Sequence, residues 1–503
     1  MLSRFLQEAA VRCPFATALT FEGRSYTYGE LDGAANAVAH RLVQHGLGPG
    51  RRAAVVMMNR PEWVIATQAV LRTGAAVVTP LGSGTLPELR HALDLAEPDH
   101  ILAETRTAEV LSTYPTGAEL TCVDADRPAG WESWQSVFAS TAREPVATVV
   151  PEDSEAVLLL SSGTTGLPKV VRHSHRSLST IVSTWIRDAD LRTADRVQFF
   201  FPASTIFGMS TILAVFAQCA TLSFFRRFGL ESMLEDVQRS RITIGMAAAP
   251  VAVAMANHPG LEDYDLSSLR YLVWGATPIS KDVAQEVTRR TGVRWLHVYG
   301  ITEAGQVAAN PVDEPERWRL DSPGRIAHGL DIRFVAADGK ELPPGEPGEL
   351  HLRSGQTMLG YLPPEADSGV FEGDGWLRTG DIGFLDEDGW LHLVDRAKEL
   401  IKVSGFSVSP VEIEKTLFSH PDVDDCGVYP VDDPVAGQRP AAAVVPRPGA
   451  DLDPAELIEW TRTRMSSYKR LAKVSFVAEI PRTPSGKVLR RKIPEVVARA
   501  VTR

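Results

Sequence analysis

The chain has 503 residues, 44% apolar and 23% charged, with a net charge of −11. That length exceeds what a single core organises, so two or more domains are expected, and the acidic balance argues against a general nucleic-acid binder. Cys13, Cys122, Cys219 and Cys426 stand without CxxC or metal-ligand spacing, and read as buried thiols of a reducing cytosol.

Leu2, Phe5, Leu6 and Ala9 recur at helical spacing with charges between them, the pattern of an amphipathic helix and not of a signal peptide. The longest apolar stretch, 211–225, is too short and too polar to span a bilayer, so a cytoplasmic protein without a membrane span is expected. From Tyr28 to about Pro250 helical patterns alternate with strand-like runs: helix 30–44, strand 52–57, helix 62–73, strand 75–80. A second cycle gives helix 230–239, strand 242–246, helix 250–257, strand 271–274 and helix 281–291. Such alternation predicts α/β layers around parallel sheets. After Gly324, segments such as ADGKELPPGEPGELHLR and DEDGWLHLVD read as antiparallel hairpins, and past Asp395 a compact α+β region follows. The expected organisation is an α/β fold with a large N-terminal domain, 1–395, containing a β-rich portion, and a small α+β C-terminal domain, 396–503.

Residues 161–169 read SSGTTGLPK and follow the apolar run Ala156, Val157, Leu158, Leu159, Leu160. A buried strand opening into such a loop presents backbone N–H groups and hydroxyls to phosphate oxygens, and Lys169 adds a cation. It is not the Walker pattern, because Leu167 and Pro168 separate the second glycine from the lysine. Residues 481–487 read PRTPSGK and place Lys487 on a second cationic turn. One phosphate cradle and one remote lysine point to nucleotide chemistry with a cation delivered from another domain.

SSGTTGLPK, WGATP at 274–278, YGITEAG at 299–305, WLRTGD at 376–381, DRAKELIKVSG at 395–405 and PRTPSGK follow one another in order. This constellation resembles the adenylate-forming enzymes: acyl-CoA synthetases, carrier-protein adenylation domains and luciferases. Its closest likeness is to 4-coumarate and medium-chain acyl-CoA ligases, over essentially the whole chain. The resemblance implies that a carboxylate is joined to the α-phosphate of ATP with loss of pyrophosphate, and that a thiol then attacks the acyl-adenylate. Positioning and charge neutralisation carry such chemistry.

Residue by residue, the resemblance gives ATP binding to Ser161, Ser162, Gly163, Thr164, Thr165, Gly166 and Lys169, with Gly275, Ala276 and Thr277 along the adenine and Tyr299 in the same set. Thr302 and Glu303 would meet the α-phosphate and Mg²⁺, a hydroxyl and a hard oxygen suiting those roles; a bare Thr-Glu pair more often caps a helix. Asp381 and Arg396 would grip the ribose. Lys398 falls at the hinge position and Lys402 at a lysine of the adenylation step, although a KELIK run is also a common solvated helix face. Lys487 would contact the carboxylate and α-phosphate. By the same resemblance the C-terminal domain is mobile, exchanging Lys487 for segment 403–406 at the active site. The 469–492 stretch holds eight basic residues and one acid, Glu479, an excess suited to ATP or to the phosphates of coenzyme A.

The acid pocket is expected from Thr205, Phe207, Met246, Ala247, Val273, Val298 and Gly300. Ser204 and Thr205 replace the family's usual aromatic–His pair, and Thr205 cannot neutralise a buried ammonium, which argues against an α-amino acid. Val298 stands where coumarate-type enzymes have glycine. An apolar pocket for a small or medium aliphatic or aryl acid follows. His297 sits where relatives offer an amide to adenine; an imidazole replaces that contact or simply packs. Coenzyme A is the expected acceptor. The alternatives are a carrier protein, an amine, or activation of nitrite for diazotisation of an aryl amine, and, in another class, a non-catalytic adenylate binder.

Overall fold

The computed structural model describes residues 1–134, 143–146, 148–161, 169–275, 281–336, 338–396, 401–408, 410–447, 449–481, 488 and 490–501. Within them the chain forms four sheets, of nine, eight, six and five strands. The fold is mixed α/β, with a large N-terminal domain and a smaller C-terminal one.

The eight-stranded sheet is built on Arg52–Val56, Ala76–Thr79, His100–Ala103 and Glu119–Cys122, all parallel, with Glu155–Ser161 parallel to Ala76–Thr79. Alternation along these strands divides their side chains between two cores. Val55, Val77, Val157 and Leu159 face the central core, whereas Ala54, Val56, Val78 and Leu158 face a second cluster on the other side. The nine-stranded sheet carries the second parallel set, Arg196–Phe199, Thr221–Phe224, Ile244–Ala247, Tyr271–Trp274 and Trp295–Ile301. Its helices Leu230–Ser240, Ala249–Asn257 and Lys281–Thr291 match the expected periodic stretches to within a residue or two. The first long helix, Tyr28–Gln44, starts two residues early because Thr27 and Glu30 form a capping box.

The hairpin-rich region after Gly324 is the six-stranded sheet, in which Gly348–Arg353 pairs antiparallel with both Asp331–Val335 and Trp376–Leu385. The chain from 401 onward builds two clusters of its own, one on each face of the five-stranded sheet. Cys426, Val428, Ala442 and Val444 face one, and Tyr429, Ala441 and Ala443 the other. Cys122 and Cys426 are buried, and Cys13 and Cys219 half-buried, all as free thiols. Among the described residues no helix is long and apolar enough to cross a membrane.

Burial pushes His100, His173, His175 and His297 down to about 4. The unfolded chain binds protons at these positions below about pH 6.5, while the folded chain refuses them until about pH 4. Stability that is complete above about pH 6.5 is therefore lost as pH falls toward 4, by up to about 1.4 kcal/mol per pH unit for each imidazole. Urea unfolding at stepped pH values should show the midpoint dropping through this window; a flat profile between pH 6.5 and 4.5 would mean that the imidazoles are not held neutral.

Candidate active site

A cavity of about 890 Å³ opens at the carboxyl ends of the parallel strands, where the two large sheets and the six-stranded sheet converge. Such an edge is where open α/β sheets present ligand-binding loops. Its lining falls into three parts.

The polar part starts at the phosphate-loop candidate. Ser161 and Lys169 both line the cavity and pair with each other across the antiparallel strands Glu155–Ser161 and Lys169–Ser174. The loop therefore joins strand to strand, and no helix begins at its exit, which differs from a strand–helix cradle; the next helix, His175–Asp188, starts only after the second strand. Ser162, Gly163, Thr164, Thr165 and Gly166 lie outside the described residues. The Lys169 ammonium sits 4.4 Å from the centre of the Tyr361 ring and donates to the carbonyl of Ala366 (3.2 Å). The Tyr361 hydroxyl donates to Glu303 Oε1 (2.6 Å).

Thr302 and Glu303 occupy the turn between Trp295–Ile301 and Gly305–Ala309, both lining the cavity. His173, neutral from burial, donates through Nε2 to the carbonyl of Thr302 (2.8 Å), and the N–H of Met358 donates to that of Glu303 (2.9 Å). A carbonyl only accepts, so Nε2 carries the imidazole proton and Nδ1 accepts from Ser177 Oγ (3.1 Å). Tyr299 lines the cavity, and its hydroxyl donates to the buried Asp381. Asp381 is paired in register with Arg396 across Trp376–Leu385 and Leu391–Arg396, so the sheet brings the two ribose candidates opposite each other. Gly275 lines the cavity; Ala276, Thr277, Lys398 and Lys487 lie outside the described residues.

The apolar part holds Ile181, Trp185, Phe201, Ile206, Phe207, Ala247 and Val298, with Gly300 at its junction with the polar part. Trp185 meets Phe207 edge-on with ring centres 5.7 Å apart, and Phe201 meets Phe207 at 6.0 Å. Edge-to-face pairs of this kind are each worth about 0.5–1.5 kcal/mol beyond area burial, which stiffens the wall. The Thr205 hydroxyl is committed to its own helix, accepting from the Gly208 N–H (3.1 Å) and donating to the Pro202 carbonyl (2.9 Å). Met246 and Val273 do not line the cavity. They sit in the central core, one residue inside the strand ends at which Ala247 and Gly275 reach the opening. His297 also packs in the interior, and its Nδ1 has no hydrogen-bond partner.

The third part comes from the C-terminal domain: Lys402, Ser404, Gly405, Phe406 and Tyr468 close the cavity. Phe406 stacks on Tyr468 at 4.2 Å between ring centres. Among the described cations of 469–492, Lys469 and Arg490 are internal. Lys469 contacts Glu88 and Glu412, and Arg490 makes a two-pronged pair with Glu414 (2.8 and 2.9 Å). That leaves less of the stretch for an anionic partner.

Sequence reasoning missed Ile181, Trp185, Gln306 and Tyr361. Ile181 and Trp185 sit four apart on an amphipathic helix and read as ordinary core; Tyr361 carries no local motif.

Family comparison covers both parts of the chain. Residues 6–362 match the AMP-binding enzyme family and residues 412–487 the AMP-binding enzyme C-terminal domain. The chain is 33% identical over 485 residues to 4-coumarate–CoA ligase 3 of Arabidopsis thaliana, covering 94% of this chain and 86% of the relative. In structure it resembles an amide bond synthetase from Marinactinospora thermotolerans, with a TM-score of 0.87, 30% identity and 98% of each chain covered. It also resembles a variant of o-succinylbenzoate-CoA synthetase from Bacillus subtilis, with a TM-score of 0.87, 25% identity and 98% of each chain covered. The chain thus belongs to the AMP-binding enzymes, the adenylate-forming superfamily.

Proposed function

We propose that this protein activates a small or medium apolar carboxylic acid, aryl acids foremost, to an acyl-adenylate with release of pyrophosphate, and then transfers the acyl group to the thiol of coenzyme A. The observation that carries the reading is the continuity of one cavity, polar around Lys169, Thr302 and Glu303 and aromatic around Trp185, Phe201 and Phe207. A carboxylate at the Gly300 junction has a ring-shaped slot on one side and phosphate-facing groups on the other.

In the first step Lys169 neutralises phosphate charge, Tyr299, Asp381 and Arg396 fix the nucleoside, and the Thr302 hydroxyl meets the α-phosphate. Glu303 is suited to Mg²⁺: it lines the cavity, only one of its oxygens accepts from Tyr361, and the described residues hold no preformed cluster of three metal ligands. Mg²⁺ held by one carboxylate together with phosphates and water fits that arrangement, and it would neutralise charge on the leaving pyrophosphate. Lys487 supplies the cation at the reacting carboxylate. Domain 396–503 then turns about Lys398, so that 403–406 replace Lys487 at the cavity. The arrangement seen here, with Lys402 to Phe406 inside the cavity, supports assigning it to the transfer step. An amine acceptor is the second reading, supported by the likeness to an amide bond synthetase over 98% of the chain.

The reading is tested by pyrophosphate release with a size-graded panel (butyrate, hexanoate, benzoate, 4-coumarate), followed by addition of coenzyme A or amines. No release with any acid, despite ATP binding, would leave a binder and not an enzyme. Lys487→Ala should reduce adenylate formation at least a hundredfold yet spare transfer from a purified acyl-adenylate. Equal loss in both half-reactions would remove the lysine from its assigned step.

Val298→Gly probes the slot. It removes three carbons from a wall residue that already touches the space above Gly275, where a Cβ would meet Val298 at 3.0 Å. Each substrate methylene buried there is worth about 0.8 kcal/mol, so the ratio of 4-coumarate to benzoate activity should rise several-fold. An unchanged order across the panel would place the acid elsewhere.

A further inference from the structure

The segment 402–406 reaches the cavity only while the C-terminal sheet is docked, and the hydrogen bonds of that docking converge on one turn of the N-terminal domain. Helix Leu86–Ala96 begins with a capping box in which Glu88 Oε2 accepts from the N–H of Thr85 (3.0 Å). The same carboxylate reaches across to the small domain. Glu88 Oε1 accepts from the Lys469 ammonium (2.9 Å) and from the Ser466 N–H (3.0 Å), and Oε2 accepts from the Ser466 hydroxyl (2.5 Å). Beside it the Thr85 hydroxyl donates to the Arg464 carbonyl (2.8 Å).

Lys469 also holds Glu412 of its own domain (2.7 Å). The side chains of Lys469 and Glu412 are 5% exposed and that of Glu88 13%. Burial acts against the Lys469 ammonium, yet the two carboxylates hold its pKa well above the usual lysine range. Burial likewise opposes Glu88, and Lys469 and Ser466 outweigh it, so that its pKa falls; burial pushes Glu412 up in spite of Lys469. If the domains part, Glu88 keeps Thr85 and Lys469 keeps Glu412, so neither charge is stranded. A contact with a local partner on each side opens and closes at small cost, unlike a buried pair with none. Tyr468, next to Lys469, stacks on Phe406 at the cavity, which links the contact to the acyl site.

We propose that Glu88 is a positioning residue for the transfer step, binding Lys469 and Ser466 so that the C-terminal domain seats residues 402–406 over the cavity. The inference rests on the two-step reading above for its kinetic consequence but not for the docking itself. Glu88→Gln removes the charge while keeping a residue that serves equally in a capping box. Two measurements on the full-length protein separate the claims. Hydrogen–deuterium exchange without ligands should quicken in segments 84–92, 401–408 and 462–470 of the variant together, with the rest of the chain unchanged. With the panel acid that releases most pyrophosphate from the wild type, release should stay within twofold, while transfer from its purified adenylate to coenzyme A falls tenfold or more. Ser466→Ala, which leaves the helix cap intact, should move both readouts the same way by a smaller factor. Unchanged exchange, or equal loss in the two half-reactions, would overturn the proposal. Should no acid of the panel yield pyrophosphate from the wild type, the enzymatic reading falls, and the exchange result still decides whether Glu88 docks the domain.

Discussion

Everything at the site hangs on how closely the backbone turns between Ile301 and Gly305. Gly305 adopts φ of +66°, and a Cβ there would lie 2.5 Å from Ile181, while one on Gly300 would lie 2.6 Å from the Gly305 carbonyl. Glycine alone tolerates both the left-handed backbone and the missing space. The tight turn brings Thr302 and Glu303 under three neighbours at once: His173 on the Thr302 carbonyl, Met358 on the Glu303 carbonyl and Tyr361 on the carboxylate. Those come from the eight-stranded sheet and from the approach to its edge strand Gly360–Leu362. The turn thereby ties the acid slot, walled by Ile181, to the phosphate side. A side chain larger than hydrogen at either glycine would separate two halves that the chemistry needs in one cavity.

Periodicity made most of the architecture legible, because parallel strands buried on both faces leave unbroken apolar runs such as 156–160 and their helices leave a 3.6-residue stripe. The hairpins after Gly324 were equally readable from their Gly, Pro and Asp turns. The site was legible only as far as motifs mark it. Nothing local distinguishes Met246, enclosed in the core, from Ala247 at the rim, because which residue ends a strand is decided by the neighbouring strands. Nor does the 161–169 loop declare that it returns as an antiparallel strand: the run KVVRHS is short and apolar enough to open a helix as well as to pair. Glu88 and Lys469 lie 381 residues apart, and each alone reads as a solvated charge. Their burial is a property of the docked domains and has no signature in either segment.

The chain is acidic overall yet must hold a polyanion beside a carboxylate. Collapse of the site's own charges into one ion pair would waste both. Tyr361 contacts both groups, its ring against the Lys169 ammonium and its hydroxyl on Glu303 Oε1. An ammonium over an aromatic face gives up only part of its hydration, which under the proposed reading suits Lys169 to phosphate. Under that reading, a neutral side chain that touches both groups lets an acidic protein present a cation and an anion to the same nucleotide. The apolar wall is separate from this arrangement: Trp185, Phe201, Phe207 and Val298 carry no charge and give the cavity shape alone.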